Sequence, residues 1–152
     1  MNLQMYLDEL GVNYCMSRHP SVYTAQALAE AEHISGRQVV KPVVLIADGR
    51  FVLCALPASY RVDLEKMRSL LHAHMISLVE ESKLRELFPD CELGAEPPIG
   101  RMYGLQTYID TAVIADERVT FQAGTHQDSV TMRMADYRRI TRPMIAQFSY
   151  PA

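Results

Sequence analysis

Asp48-Gly49 stands between two β-rich runs, Val39–Ala47 and Arg50–Leu56, and it constrains the fold more than any other short stretch of the chain. An Asp-Gly pair accepts the positive φ angles of a type I′ turn, whose twist suits the strands on either side. The two runs are therefore expected to form an antiparallel hairpin. The first run contains a charge, Lys41, set between Val40 and Pro42. Burying an unpaired ammonium is costly, so Lys41 either reaches a cleft or lies on a solvated edge. Pro42 has no N–H to give to a ladder and points to an edge strand or the start of one.

Helices and further strands surround that hairpin. Leu3, Tyr6, Leu7 and Leu10 recur at helical spacing, and Gly11 follows as a C-terminal cap. Residues 13–18 read as a short strand leading into His19-Pro20, and Thr24 can cap an alanine-rich helix, Ala25–Ile34, that Gly36 ends. Asp63 can cap a helix running to His74, with Leu64, Met67, Leu70 and Leu71 facing inward. His72 and His74, two apart on that helix, point to different faces and make a poor metal pair. Met75–Val79 reads as a strand, and a short helix starts at Ser82 and stops at Pro89. Met102–Asp110 is expected as a strand that Thr111–Ile114 extends. Val119–Ala123 and Ser129–Arg133 follow as strands, and Ala135–Ile140 as a closing helix. Pro143 and Pro151 bracket a tail expected to lie across the surface. About seven strands and four or five helices without strict alternation give a mixed α/β fold. Its sheet is largely antiparallel and curved toward a barrel, with helices packed outside.

The 152 residues are enough for one domain, 1–152, that needs neither disulfides nor metal to hold its core. Three widely spaced cysteines, Cys15, Cys54 and Cys91, fit no disulfide framework and suggest a reducing cytoplasm. No apolar run approaches a membrane span, and the first ten residues carry no basic segment before an apolar one. A net charge of −3 argues against coating DNA or long nucleic acid, while leaving room for touching one end of a strand.

Gly94-Ala95-Glu96-Pro97-Pro98-Ile99-Gly100 follows a helical segment and precedes a strand. Its glycines permit positive φ or close backbone approach, and its prolines stiffen it and keep it out of any ladder. Such a loop suits a small polar ligand, or is a stiffened surface turn. No phosphate loop, dinucleotide fingerprint, zinc-protease helix or serine elbow is present. What remains is a lysine in an apolar strand, this loop, and Gly124-Thr125-His126 at a strand end.

In order and spacing those features resemble the YbaK/prolyl-tRNA synthetase editing-domain family. Lys41 with its hairpin, Gly94-x-x-x-Pro98-x-Gly100, Tyr108-Ile109-Asp110 and Gly124-Thr125-His126 carry the likeness, which spans residues 5–143. It implies a hydrolase that clears mischarged tRNA by cleaving the ester of a small amino acid (alanine, cysteine, serine or threonine). No metal or cofactor is implied. The partners implied are the aminoacylated tRNA acceptor end and an aminoacyl-tRNA synthetase. The alternative is a non-catalytic module that binds an aminoacyl or nucleotide end and docks on a synthetase. By resemblance, Lys41 and His126 are the catalytic candidates. Gly94, Glu96, Pro98, Gly100, Gly124, Thr125, Asp110, His19 and Tyr23 are the substrate-binding ones. Pro42 departs from the small polar residue common in the family, and Glu96-Pro97 from small loop residues. A carboxylate at Glu96 either binds the substrate's α-ammonium or faces water, and turn glutamates usually face water.

Overall fold

The computed structural model describes residues 2–35 and 38–152. Among these residues it has ten strands and five α-helices, with a short 3-10 helix at Gly100–Tyr103. The hairpin is formed as expected: β2 (Val40–Ala47) pairs antiparallel with β3 (Arg50–Pro57) through a turn in which Asp48 and Gly49 have φ of 48° and 84°. The Asp48 carboxylate also accepts from the backbone N–H groups of His74 and Met75, tying the turn to the segment that follows the third helix.

β3 is the centre of a five-stranded sheet. β5 (Ile76–Leu78) flanks β2. On the other side β6 (Gln106–Asp110) runs parallel to β3, and β9 (Met144–Ala146) runs parallel to β6. Leu53 and Ala55 face one apolar core and Val52, Cys54 and Leu56 another. A strand buried on both faces is a continuous apolar run, as Phe51–Pro57 is here. A three-stranded antiparallel sheet of β1 (Tyr14–Arg18), β8 (Asp128–Arg133) and β7 (Arg118–Gln122) closes over the first core, and β4 (Tyr60–Val62) pairs with β10 (Ser149–Pro151) beside the second. α1 (Leu3–Glu9) and α5 (Met134–Thr141) cover the first core, and α3 (Leu64–Leu70) covers the second. α2 (Ala25–Ala31) packs Leu28 and Ala29 against Val39 and Ala58, and α4 (Glu81–Leu87) lies before the loop.

Thr24 and Asp63 cap α2 and α3 by accepting from the N–H groups of Ala27 and Lys66, as their sequence positions imply. Both helices are shorter than the sequence suggests, and His72 and His74 lie beyond α3, with His72 at φ 52°. Gly36, expected to end α2, lies outside the described residues. Thr111–Ile114 forms turns instead of extending β6, because the Asp110 carboxylate caps the Ala112 N–H and also takes those of Phe148 and Ser149. The tail is accordingly no surface strap: it supplies β9 and β10, and Phe148 is fully buried.

Register sets the site. β5 covers only Leu45–Ala47 of β2, and a lone bridge joins Val39 to Thr120 of β7. Between them, Val40–Val43 has a strand partner on the β3 side alone. Lys41 and Pro42 sit in that gap.

Candidate active site

A cleft of about 410 Å³ opens at the gap. Lys41 and Pro42 of β2, Arg61 and Tyr60 of β4, and Gly94 with Glu96 of the loop line it. Gln122 at the end of β7 and Tyr23 before α2 complete the rim.

The strand wall is cationic. Neither Lys41 nor Arg61 makes an ion pair or a side-chain hydrogen bond with a described residue. Half-burial, and then the neighbouring Arg61 guanidinium, hold the Lys41 ammonium below the ordinary lysine range. A desolvated cation without a partner is a ready receptor for negative charge on a ligand.

The loop wall is fastened at many points. Residues 95–100 are all buried, so this stretch is not a surface turn. The Gly94 N–H donates to the Glu96 carboxylate at 2.8 Å, a tight return that its φ of 88° makes possible. Ala95 and Gly124 are linked in turn to Glu92: Gly124 N–H donates to Ala95 O, Glu92 N–H to Gly124 O, and Ala95 N–H to Glu92 O. Further along, the buried Tyr137 hydroxyl donates to Pro98 O at 2.6 Å, and Gly100 N–H donates to the Thr107 hydroxyl. Gly100 has no room for a side chain, since a Cβ there would lie 2.6 Å from Leu105 O and 2.5 Å from Thr107 Oγ1.

Glu96 differs from its sequence reading. It is 7% exposed, not facing water, because its carboxylate is drawn inward to the Gly94 N–H. Burial raises its pKa, and the backbone N–H bonds and the nearby His126 partly offset this.

His126 braces the loop from behind. Its Nδ1 lies 3.0 Å from Val22 O and its Nε2 2.9 Å from Leu93 O, while its ring packs against Tyr23 with centroids 4.6 Å apart. Carbonyl oxygens only accept, so both bonds form together only when both ring nitrogens carry protons. Of the candidates by resemblance, Lys41, Gly94, Glu96 and Tyr23 line the cleft. Pro98, Gly100, Gly124 and His126 build its loop wall without lining it. Thr125 donates to Asp128 within its own turn, and Asp110 anchors the tail. His19 follows β1, with Nδ1 2.8 Å from Pro20 O and a buried Nε2 that has no partner. Arg61 and Gln122 escaped the sequence reading, for no local pattern marks either. Gln122 donates from Nε2 to Val22 O, which fixes it at the rim. Among the described residues no group of three His, Cys, Asp or Glu side chains could hold a metal ion.

A curved mixed sheet with a lysine-lined cleft and a braced glycine-proline loop defines an editing domain of aminoacyl-tRNA quality control. The chain belongs to the aminoacyl-tRNA editing domain family, whose model matches residues 19–140, and it is thereby an aminoacyl-tRNA deacylase. It is 27% identical over 147 residues to the multifunctional Ser/Thr-tRNA deacylase ProXp-y of Escherichia coli K12, covering 93% of this chain and 87% of that one. It is also 31% identical over 100 residues to the proline–tRNA ligase of Bacillus subtilis, covering 63% of this chain and 17% of the ligase. Its fold is shared with a solved structure of a candidate trans-editing enzyme for prolyl tRNA synthetase, at a TM-score of 0.84 and 21% identity over 97% of this chain and 94% of that one. The hypothetical protein APE2540 has the same fold, at a TM-score of 0.88 and 15% identity over 97% and 99% of the two chains.

Proposed function

We propose that this chain, acting as one editing unit, hydrolyses tRNA mischarged with a small amino acid: serine and threonine first, alanine and cysteine in the same size class. The observation that carries the reading is the unpartnered Lys41 cation in the cleft that Gly94 and Glu96 also line. Water adds to the ester carbonyl carbon, and Lys41 stabilises the negative charge that develops on the carbonyl oxygen. The acyl C–O bond then breaks, the proton from water passes to the leaving ribose oxygen, and free amino acid and tRNA remain. The vicinal ribose hydroxyl relays that proton, so no protein nucleophile is needed. Glu96 and the loop carbonyls hold the α-ammonium. His126 acts as a brace that keeps the loop in place, its two nitrogens already engaged with backbone carbonyls.

The name of the Escherichia coli relative supports serine and threonine as the acyl groups. The match to a segment of a proline–tRNA ligase supports work beside that synthetase, supplied in trans. A tRNA substrate supports a cytoplasmic location. No helix of the described residues is long and apolar enough to cross a membrane.

The test is single-turnover release of amino acid from seryl-, threonyl-, alanyl-, cysteinyl- and phenylalanyl-tRNA. Small groups are cleaved and the phenylalanyl ester is refused, because steric exclusion discriminates more strongly than the roughly 1–3 kcal/mol that one methylene offers. Equal release of phenylalanine removes the size argument. Binding without release of any group makes the chain a recognition module.

A further inference from the structure

Lys41 and Arg61 line not only the substrate cleft but also a second groove of about 320 Å³, and they are the two residues common to both. Beyond them the groove is apolar, lined by Val43, Val62, Leu64, Leu78 and Tyr150. Leu78 is 59% exposed and Tyr150 47%, so both present free surface. No carboxylate lines the groove.

A nucleoside seated in the first cleft by its ester must leave it along its own backbone, through the phosphate on its 5′ side. The wall shared with the second groove is the place where two cations stand without anionic partners. Like charges side by side are unfavourable, and a phosphate on Arg61 relieves that repulsion. Past the phosphate comes a base, and an exposed aromatic ring beside an aliphatic side chain takes any base on its face.

We propose that the second groove seats the nucleotide immediately 5′ of the esterified nucleoside, its phosphate held by Arg61 and its base resting on Tyr150 and Leu78, while Lys41 serves the ester. Identifying the first cleft's occupant as an aminoacyl nucleoside rests on the deacylase reading above. Arg61 is then a binding residue for the strand, and the protein reads two nucleotides of an acceptor end instead of one.

The experiment is a titration of the intact chain with three ligands that carry no ester: adenosine, adenosine 5′-monophosphate and the dinucleotide cytidylyl-3′,5′-adenosine. The monophosphate binds more tightly than adenosine, and the dinucleotide more tightly still. Arg61→Ala lowers dinucleotide affinity about tenfold, the scale of one charge-assisted contact, and Arg61→Lys restores part of it. Tyr150→Ala lowers it about fivefold, the scale of one stacked base, and leaves the step from adenosine to its monophosphate in place. Equal affinity of the wild type for all three ligands overturns the proposal, as does a dinucleotide advantage that survives both alanine variants. If Arg61→Ala fails to fold, the three wild-type affinities and Tyr150→Ala decide the matter. A dinucleotide advantage without hydrolysis of any charged tRNA strikes the deacylase reading alone, whereas hydrolysis without that advantage strikes the groove alone.

Discussion

The two walls of the cleft are built in contrasting ways. On the loop wall the backbone is tied down repeatedly: Gly94 to Glu96, Gly124 to Ala95, Tyr137 to Pro98, and Gly100 to Thr107. On the strand wall Lys41 and Arg61 have no partner among the described residues. A wall tied at several points fixes geometry, while a wall with charges left over supplies force to whatever arrives. Alignment and electrostatic stabilisation are separate contributions to catalysis, and under the proposed function they occupy separate elements.

Removing the charge from the strand wall has the largest effect. Lys41→Ala lowers the single-turnover rate by about 10²–10³, the cost of losing one preorganised group at a developing oxyanion. The far-ultraviolet circular dichroism is unchanged, since Lys41 makes no bond that the fold needs. Wild-type turnover by this variant would dissolve the division between the walls.

Crowding the loop wall comes next. Gly100→Ala drives a Cβ into Leu105 O and Thr107 Oγ1, and costs about 1–3 kcal/mol of stability, the usual scale of overpacking. Denaturant unfolding reads it, and an unchanged midpoint would mean that the loop has slack. Subtler is Tyr137→Phe, which deletes one hydrogen bond to Pro98 O and costs about 1 kcal/mol. If the loop aligns the ester, kcat falls in this variant while KM holds. A rise in KM alone would assign the loop to binding and not to alignment.

The smallest effect is on pH dependence. Burial holds the Glu96 carboxyl above its ordinary value of 4.5, so the folded chain binds that proton more tightly than the unfolded one. Glu96 therefore makes stability fall as pH rises from about 4.5 through the raised folded value, and the contribution is level above it. Glu96→Gln has no such proton to lose, so its stability relative to wild type climbs over the same window. Parallel thermal midpoints from pH 4 to 8 would show that Glu96 titrates alike in both states.

The features legible in the sequence were those carried by local chemistry. Asp48-Gly49 marked its turn, and Thr24 and Asp63 marked their helices, because each acts on a neighbour within a few residues. β9 and β10 were hidden, being three residues each and strands only because β6 and β4 lie alongside. The expected strand Met102–Asp110 takes in Met102 and Tyr103 of the Gly100–Tyr103 turn and starts four residues before β6, since its apolar residues give no sign of where it begins. At the site, Lys41 stood out as a charge in an apolar run, whereas Arg61 looked like any surface arginine. Its meaning comes from the cleft it lines together with Lys41, and no local pattern carries that. Glu96 was misjudged for a related reason: its partner is a backbone N–H two residues back, and composition cannot see a bond to the backbone.

Pro42 gives the gap beside β2 a second meaning. An unpaired stretch of strand invites a passing peptide, or another copy of the chain, to add itself to the sheet edge. Proline withholds the N–H that such an intruder would need, and its ring crowds the approach. Under the proposed function the stretch left open for substrate is therefore one that a foreign strand cannot zip shut, and the departure from the family's small polar residue guards that stretch against aggregation.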